Sequence, residues 1–458
     1  MKKVALITMV LISATSLLAQ DALRANAARL MTRELEASKA YETLEYLSDD
    51  IGQRLSGSKN AEAAILWSVE RFRSWGIDVH TEKVIVPHWV RGEEYATLPS
   101  QMDQKIVVTA LGGSVATPAN GITAEVIELD SYEQLKAQGD KVRGKIVVWN
   151  NPMDLNLVRS GRGFEAYRFA VEFRGSGASK AAEYGALASL VRSVGSASLR
   201  TPHTGALKYE DNQPKIPAGA MTVEDSLLIH RLLAKGEKVI MHLVLTPQTL
   251  PPVESANVVA EIRGSTTPDE VVVLGGHLDS WDLGTGAIDD GGGVAQVMDA
   301  MRVIKESGLK PRRTIRCVLF MNEENGLAGG KQYAADHKDE LAKHVAAIET
   351  DSGSAAPAGF RTTLDGAARK NFEQTVAGVF GRIGAARFET AKNTGADISP
   401  LTDAGVTGFS LEPDSLHYFD YHHTPADTLD KIDPKELAQD SAAIVALTYV
   451  LADMPPAR

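Results

Sequence analysis

The sequence predicts an α/β protein: a doubly wound, mostly parallel sheet interrupted by an inserted α+β unit. Three observations lead there. From residue 254 onward strand-like runs alternate with helical ones, the pattern of a parallel sheet with crossover helices. The composition breaks twice, at GGSVATPANG (112–121) and at TLPPV (249–253), where small residues and prolines read as linkers. A chain of 458 residues also exceeds one ordinary core, since domains run to ~100–200 residues.

Taken in order, the chain opens with MKKVALITMVLISATSLLAQ. Lys2 and Lys3 precede an apolar stretch, 4–18, and Leu17-Leu18-Ala19-Gln20 offers a cleavage zone, so 1–20 is assigned to a signal peptide. The stretch is shorter than the ~20 residues of a spanning helix, which speaks against a membrane anchor. An exported protein is expected, periplasmic or extracellular, with no membrane contact after signal removal. Residues 21–115 form the N-terminal part of the main domain: helical patterns at 21–49 and 58–76, the second stopped by Gly76, and then a β-rich stretch.

Residues 116–250 form the inserted unit. ITAEVIEL is strand-like, SYEQLKAQG a short helix and KIVVW a buried strand. TVEDSLLIHRLLAKG starts with Thr222 and Asp225 in capping positions and stops at a glycine, and KVIMHLVL closes the unit. Residues 251–458 return to the main domain. Its strands are NVVAEIRG, VVVLGG, RTIRCVLFM, HVAAIET and VTGFSL; in the helix between the second and third, Val294, Val297, Met298, Met301 and Ile304 recur at helical spacing. The last helix has Asp433 as its cap and Pro434 in its first turn.

The net charge of −11 and the lack of a basic run exclude nucleic acid as a partner, because phosphate binding needs a basic face. The single cysteine, Cys317, excludes an internal disulfide and multi-cysteine metal sites; inside TIRCVLFM it reads as a buried small hydrophobe.

Chemistry gathers at the carboxyl ends of the strands, where such sheets bind ligands. VVVLGG runs into His277 and Asp279, RTIRCVLFMN into Glu323 and Glu324, and HVAAIET into Asp351. VTGFSL is followed by HYFDYHHTPADT, which carries His422 and His423. Any one of these residues alone is a polar loop residue or a helix cap. Four strand ends, each delivering an imidazole or carboxylate to one rim, point to a divalent metal site with nitrogen and oxygen ligands. The donors exceed the needs of one ion, which suggests two ions sharing a bridging carboxylate, Asp289 or Asp290. Of the adjacent glutamates one can bind metal while the other faces the attacking water as general base. The glycines around Asp289 are expected to permit tight turns. His203 in PHTG is a candidate for the substrate rim.

These stretches resemble a known family. DIGQRLSGSKN, VPHWVRGEE, GITAEV, RGKIVVWN, GALASLVRSV, PHTG, KIPAGAMTVED, GGHLDSWDLGTGAIDDGGG, NEENG and HHTPADT are similar to the co-catalytic dizinc aminopeptidase/glutamate carboxypeptidase family, within it the carboxypeptidase Q-like branch. The resemblance covers nearly the whole mature chain. It implies a sheet of the zinc exopeptidase type with a protease-associated domain as the insert. It implies two zinc ions per chain, held by His277, Asp289, Glu324, Asp351 and His423, with Asp289 bridging. Glu323 would be the general base and Asp279 would orient His277. His422 occupies the place of an oxyanion-stabilising tyrosine, with Tyr421 and Tyr418 nearby; His422, Tyr421 and Asp397 are the substrate-side candidates. The implied activity is hydrolysis of dipeptides or short peptides by a metallopeptidase, and the implied assembly is a homodimer. The alternatives are a glutaminyl-cyclase-like zinc acyltransferase and a non-catalytic receptor or scaffold on the same fold.

Overall fold

The structure is a computed structural model that describes residues 2–455, with side chains from residue 19 onward. The expected signal peptide, 1–20, lies largely outside the described side chains. The backbone from Lys2 to Ala37 is one helix, and among the described residues no helix is long and apolar enough to cross a membrane.

Two sheets organise the chain. The larger has eight strands: β1 (Asp78–Val90), β2 (Gln248–Ile262), β3 (Thr267–His277), β4 (Arg313–Phe320), β5 (His344–Glu349), β6 (Pro357–Thr362), β7 (Phe388–Thr390) and β8 (Thr407–Pro413). Their spatial order is β1-β2-β4-β3-β5-β8-β6-β7. The central four, β4, β3, β5 and β8, run parallel. Both flanks are antiparallel: β2 against β4, β1 against β2, and β6 against β8. β6 and β7 pair parallel. The sheet is therefore mixed: its parallel centre is as expected, and the antiparallel edges are a correction to the mostly parallel expectation. Apolar patterning marks a strand without marking its direction; connections decide direction, and the chain leaves β1 at Val90 and returns to β2 at Gln248 at the same end of the ladder, so the two pair antiparallel.

Strand alternation splits the core between the faces. Val272 and Leu274 pack with Val294, Met298 and Leu447 of the helices Gly292–Ser307 and Pro434–Asp453, while Val271 and Val273 pack with Tyr333, Ile398 and Leu401 on the other side. Cys317 is fully buried, as its setting suggested. The last helix is capped as expected, with the Asp433 carboxylate accepting the N–H groups of Lys435 (2.7 Å) and Glu436 (3.3 Å).

The second sheet also has eight strands and draws on more of the chain than 116–250. Glu94–Leu98, Gln104–Ile106 and Val108–Ala110 belong to it, and Ile240–Leu245 closes it. The segment before residue 116 is β-rich as expected, but strand pattern alone does not tell which sheet a strand joins. The insert leaves and re-enters at the end of the β1–β2 ladder, where Val90 pairs with Gln248. Its helix Gly163–Ala170 leans back on the main domain, with Tyr167 stacked on Phe419 at 4.8 Å. That contact brings the insert against the loop carrying His422 and His423.

Candidate metal centre

The parallel strands end on one rim. His277 is the last residue of β3, and Asp351 follows β5, which pairs with β3 in register through Gly275 and Glu349. Nε2 of His277 lies 3.2 Å from Oδ1 of Asp289 and 3.5 Å from Oδ1 of Asp351. On the other side, Nε2 of His423 lies 3.0 Å from Oδ2 of Asp289 and 3.0 Å from Oε2 of Glu324. One donor atom from each of His277, Asp289 and Asp351 falls within 4.8 Å of the other two, and the same holds for Asp289, Glu324 and His423. Asp289 belongs to both sets and turns a different oxygen to each.

Neighbouring groups hold these donors. The main-chain N–H of His277 donates to Asp290 (3.0 Å), as does that of Gly293 (3.1 Å). Asp290 thus braces the strand end while Asp289 faces the donors. A Cβ on Gly293 would stand 2.0 Å from the carbonyl oxygen of Thr350. Gly291, Gly292 and Gly293 sit in or beside the helix Gly292–Ser307, so they serve close packing; Gly286, at φ 61°, is the one here that makes a left-handed turn.

Asp279 is placed differently from the expected imidazole partner. Nδ1 of His277 lies 3.0 Å from the main-chain oxygen of Asp279 and 3.9 Å from its carboxylate. The carboxylate instead accepts the N–H groups of Asn322 (2.7 Å), Glu323 (3.1 Å) and Glu324 (3.4 Å). It clamps the loop that carries both glutamates.

Of the substrate-side candidates, His422 is drawn in: its Nε2 is 3.1 Å from Asp289 Oδ2, and its ring stacks on His423 at 3.6 Å. Tyr421 turns away, with the Lys431 ammonium over its ring at 5.5 Å. Asp397 is buried with neither carboxylate oxygen paired, beside Glu349, which accepts the N–H groups of Ala396 (2.7 Å) and Ile398 (2.8 Å). His203 is buried in the centre, its Nε2 3.1 Å from Nδ1 of His422.

Three further residues carry weight that the sequence reading left unassigned. The Asp427 carboxylate accepts the N–H groups of Ile288 (2.6 Å) and Asp289 (3.2 Å), fixing the shared carboxylate from behind. The fully buried Arg54 donates to the carbonyls of Leu278 (2.8 Å), Thr285 (2.7 Å) and Gly286 (2.9 Å), tying down the loop between His277 and Asp289. Thr204 donates its N–H to the His423 carbonyl (2.9 Å), and its own carbonyl lies 3.3 Å from His423 Nδ1. Asp427, Thr204 and Arg54 lie in HHTPADT, PHTG and DIGQRLSGSKN, so the quoted motifs were their only signal; the Arg54 side chain bonds carbonyls alone, which leaves no trace in spacing.

The electrostatics ask for cations. Burial, reinforced by neighbouring carboxylates, holds Glu323, Glu324 and Asp290 well above the usual carboxylate range. Burial also pushes Asp427 up to about 7. Burial and the adjacent His423 push His422 down to about 4. One oxygen of Glu324 is buried without a partner. Nitrogen and carboxylate donors in two sets with a shared bridge suit a pair of zinc ions, and the residues present fit that group.

Comparison with known proteins follows the same lines. Residues 257–448 match peptidase family M28. Carboxypeptidase Q of Mus musculus is 40% identical over 418 residues, which cover 91% of this chain and 86% of that protein. Among solved structures, a peptidase M28 precursor from Shewanella amazonensis is similar at a TM-score of 0.90 and 38% identity, covering 96% of this chain and 100% of that one. A zinc aminopeptidase from Bacillus subtilis shares the fold at a TM-score of 0.68 and 21% identity, covering 92% of this chain and 96% of that one.

Proposed function

The chain belongs to peptidase family M28 as a carboxypeptidase Q-like metallopeptidase, and from that premise we propose that it is an exported dizinc exopeptidase acting on dipeptides or short peptides. The observation that carries the reading is the pair of donor sets joined through Asp289. A zinc pair held by His277, Asp289 and Asp351 on one side and Asp289, Glu324 and His423 on the other would supply Lewis acidity and an acidified water.

The chain's own residues do the rest. Glu323 belongs to neither donor set, yet His277, Asp351 and Glu324 all act on its charge. In this reading it takes a proton from the attacking water and returns it to the leaving amine. Asp279 keeps Glu323 and Glu324 at fixed directions from one loop, and Asp427 does the same for Asp289. His422 is the substrate-side candidate whose ring reaches the shared carboxylate, where a substrate oxygen would be polarised. The second sheet is read as a protease-associated domain, and the working assembly as a homodimer.

The test is metal content together with hydrolysis of a dipeptide library with free and blocked termini. Two zincs per chain are expected, with turnover lost on chelation and restored by added zinc. Full turnover in the metal-free protein would sink the proposal. One zinc per chain with no peptide hydrolysis would favour the acyltransferase alternative.

A further inference from the structure

His203 stands apart from both donor sets, although its ring lies inside the centre. It comes from the inserted unit, where its N–H donates to Ser193 Oγ (2.9 Å) just beyond the strand Ala188–Arg192. The ring packs on His423 at 5.1 Å and edge-on to Tyr167 at 6.0 Å. Its Nε2 faces Nδ1 of His422 across 3.1 Å, while its Nδ1 is buried with no hydrogen-bond partner in the protein.

That arrangement constrains where the protons lie. A buried N–H without an acceptor is rarer and costlier than a buried lone pair without a donor. Nδ1 of His203 therefore carries the lone pair and Nε2 the proton. Nε2 then donates to Nδ1 of His422, which must accept. The remaining nitrogen of His422, Nε2, carries its own proton, and that nitrogen lies 3.1 Å from Asp289 Oδ2.

We propose that His203 is a positioning residue that holds His422 as the Nε2–H tautomer, so that a fixed N–H points into the metal centre at the substrate side. The inserted unit thereby contributes to the chemistry of the main domain. A donor already aimed at the place where charge develops needs no reorganisation during the reaction. The same proton keeps Nε2 of His422 from ligating an ion, leaving that task to His423. The inference rests on the peptidase reading of the centre.

The experiment reads the tautomer directly. Long-range proton–nitrogen correlation spectra of the zinc-loaded protein, labelled at histidine nitrogens and assigned with His203→Gln and His422→Phe, should show His422 unprotonated at Nδ1 and protonated at Nε2. His203→Leu should lose that pattern while keeping the wild-type zinc content. It should lower kcat by about 10–100-fold with KM nearly unchanged, the scale seen when the partner of a centre's imidazole is removed. His203→Gln, whose amide can donate from the same place, should recover most of the loss. In the His422→Phe background His203→Leu should cost nothing further.

A native His422 protonated at Nδ1 overturns the proposal. So does an equal loss in both backgrounds, or an additional zinc that disappears with His203→Leu, since ring nitrogens of His203, His422 and His423 lie within 4.8 Å of one another. The tautomer is read without turnover, so failure of the peptidase reading and failure of this inference are told apart. If His203→Leu does not fold, the native spectrum and His203→Gln still decide.

Discussion

The two halves of the candidate metal centre are built by different means. His277 and Asp351 stand at the ends of adjacent parallel strands, and the register of β3 and β5 sets their separation before any loop is considered. Glu324 and His423 lie on loops beyond β4 and β8 and are held by distant bonds, the first through Asp279 and the second through Thr204 of the insert. Hydrogen bonds of the ladder are numerous and cooperative with the core; the loop half depends on a few single contacts. The strand half should therefore tolerate loss of a supporting bond, and the loop half should not.

The sharpest test separates the adjacent glutamates on the loop side. Glu323→Gln keeps shape but cannot take a proton. It should retain both zincs and lose turnover by about 10²–10⁴-fold, the usual contribution of general acid–base catalysis. Glu324→Gln should instead lose zinc from the loop half, because a neutral amide is a poorer ligand than a carboxylate. Zinc content and dipeptide hydrolysis measured side by side decide. If Glu323→Gln drops a zinc while Glu324→Gln keeps two and is inactive, the roles are reversed.

The same division explains what the sequence disclosed. The strand half was legible because an apolar run ending in His277 or in Asp351 carries its own structural context. Glu323, Glu324, His422 and His423 were also visible as residues at strand ends, and the structure brings Glu324 and both histidines to Asp289. Their supports were not visible. Asp279 was expected beside His277, and only three-dimensional placement shows its carboxylate on the N–H groups of 322–324. Arg54 and Thr204 act across more than two hundred residues of sequence through main-chain groups, which carry no side-chain signature. Strand direction and the reach of the second sheet escaped for a similar reason, since pairing partners are decided by tertiary contact.

Asp279→Ala puts the comparison to a second, smaller test. Removing the carboxylate frees three N–H groups of the loop and should weaken zinc binding at the loop half by about 10–100-fold. The main-chain oxygen that faces His277 Nδ1 remains, so the strand half should keep its affinity. Stepwise zinc titration of Asp279→Ala, of Glu324→Gln and of the double variant measures the link. Coupled sites give a double variant no worse than Glu324→Gln alone. Purely additive losses would mean that Asp279 acts on His277 after all and that the halves are not separable in this way.

The smallest effect is expected far from both halves, and it shows whether the loop half responds to local support or to stability in general. His337 Nε2 lies 2.9 Å from Oε1 of Glu82 on β1, tying the segment after the helix Ala328–Asp336 to the sheet edge. That bond holds His337 above its ordinary value of 6.5. Glu82 is held below 4.5 by His337 and His80, despite burial. A raised histidine stabilises fully below its unfolded pKa and loses the contribution as pH rises through the folded one. A lowered glutamate stabilises above its unfolded pKa and loses the contribution as pH falls through the folded one. The pair should therefore matter most between about pH 5 and 6.5. After screening by solvent, His337→Gln should cost about 0.5 kcal/mol at pH 6 and close to nothing at pH 9, read from denaturant midpoints. Turnover and zinc content should stay at wild-type levels at both. A stability loss independent of pH would rule out the ion pair as its source. A fall in turnover would do more damage, because slight loosening anywhere in the fold would then reach the centre, and the sensitivity assigned to the loop half would not be its own.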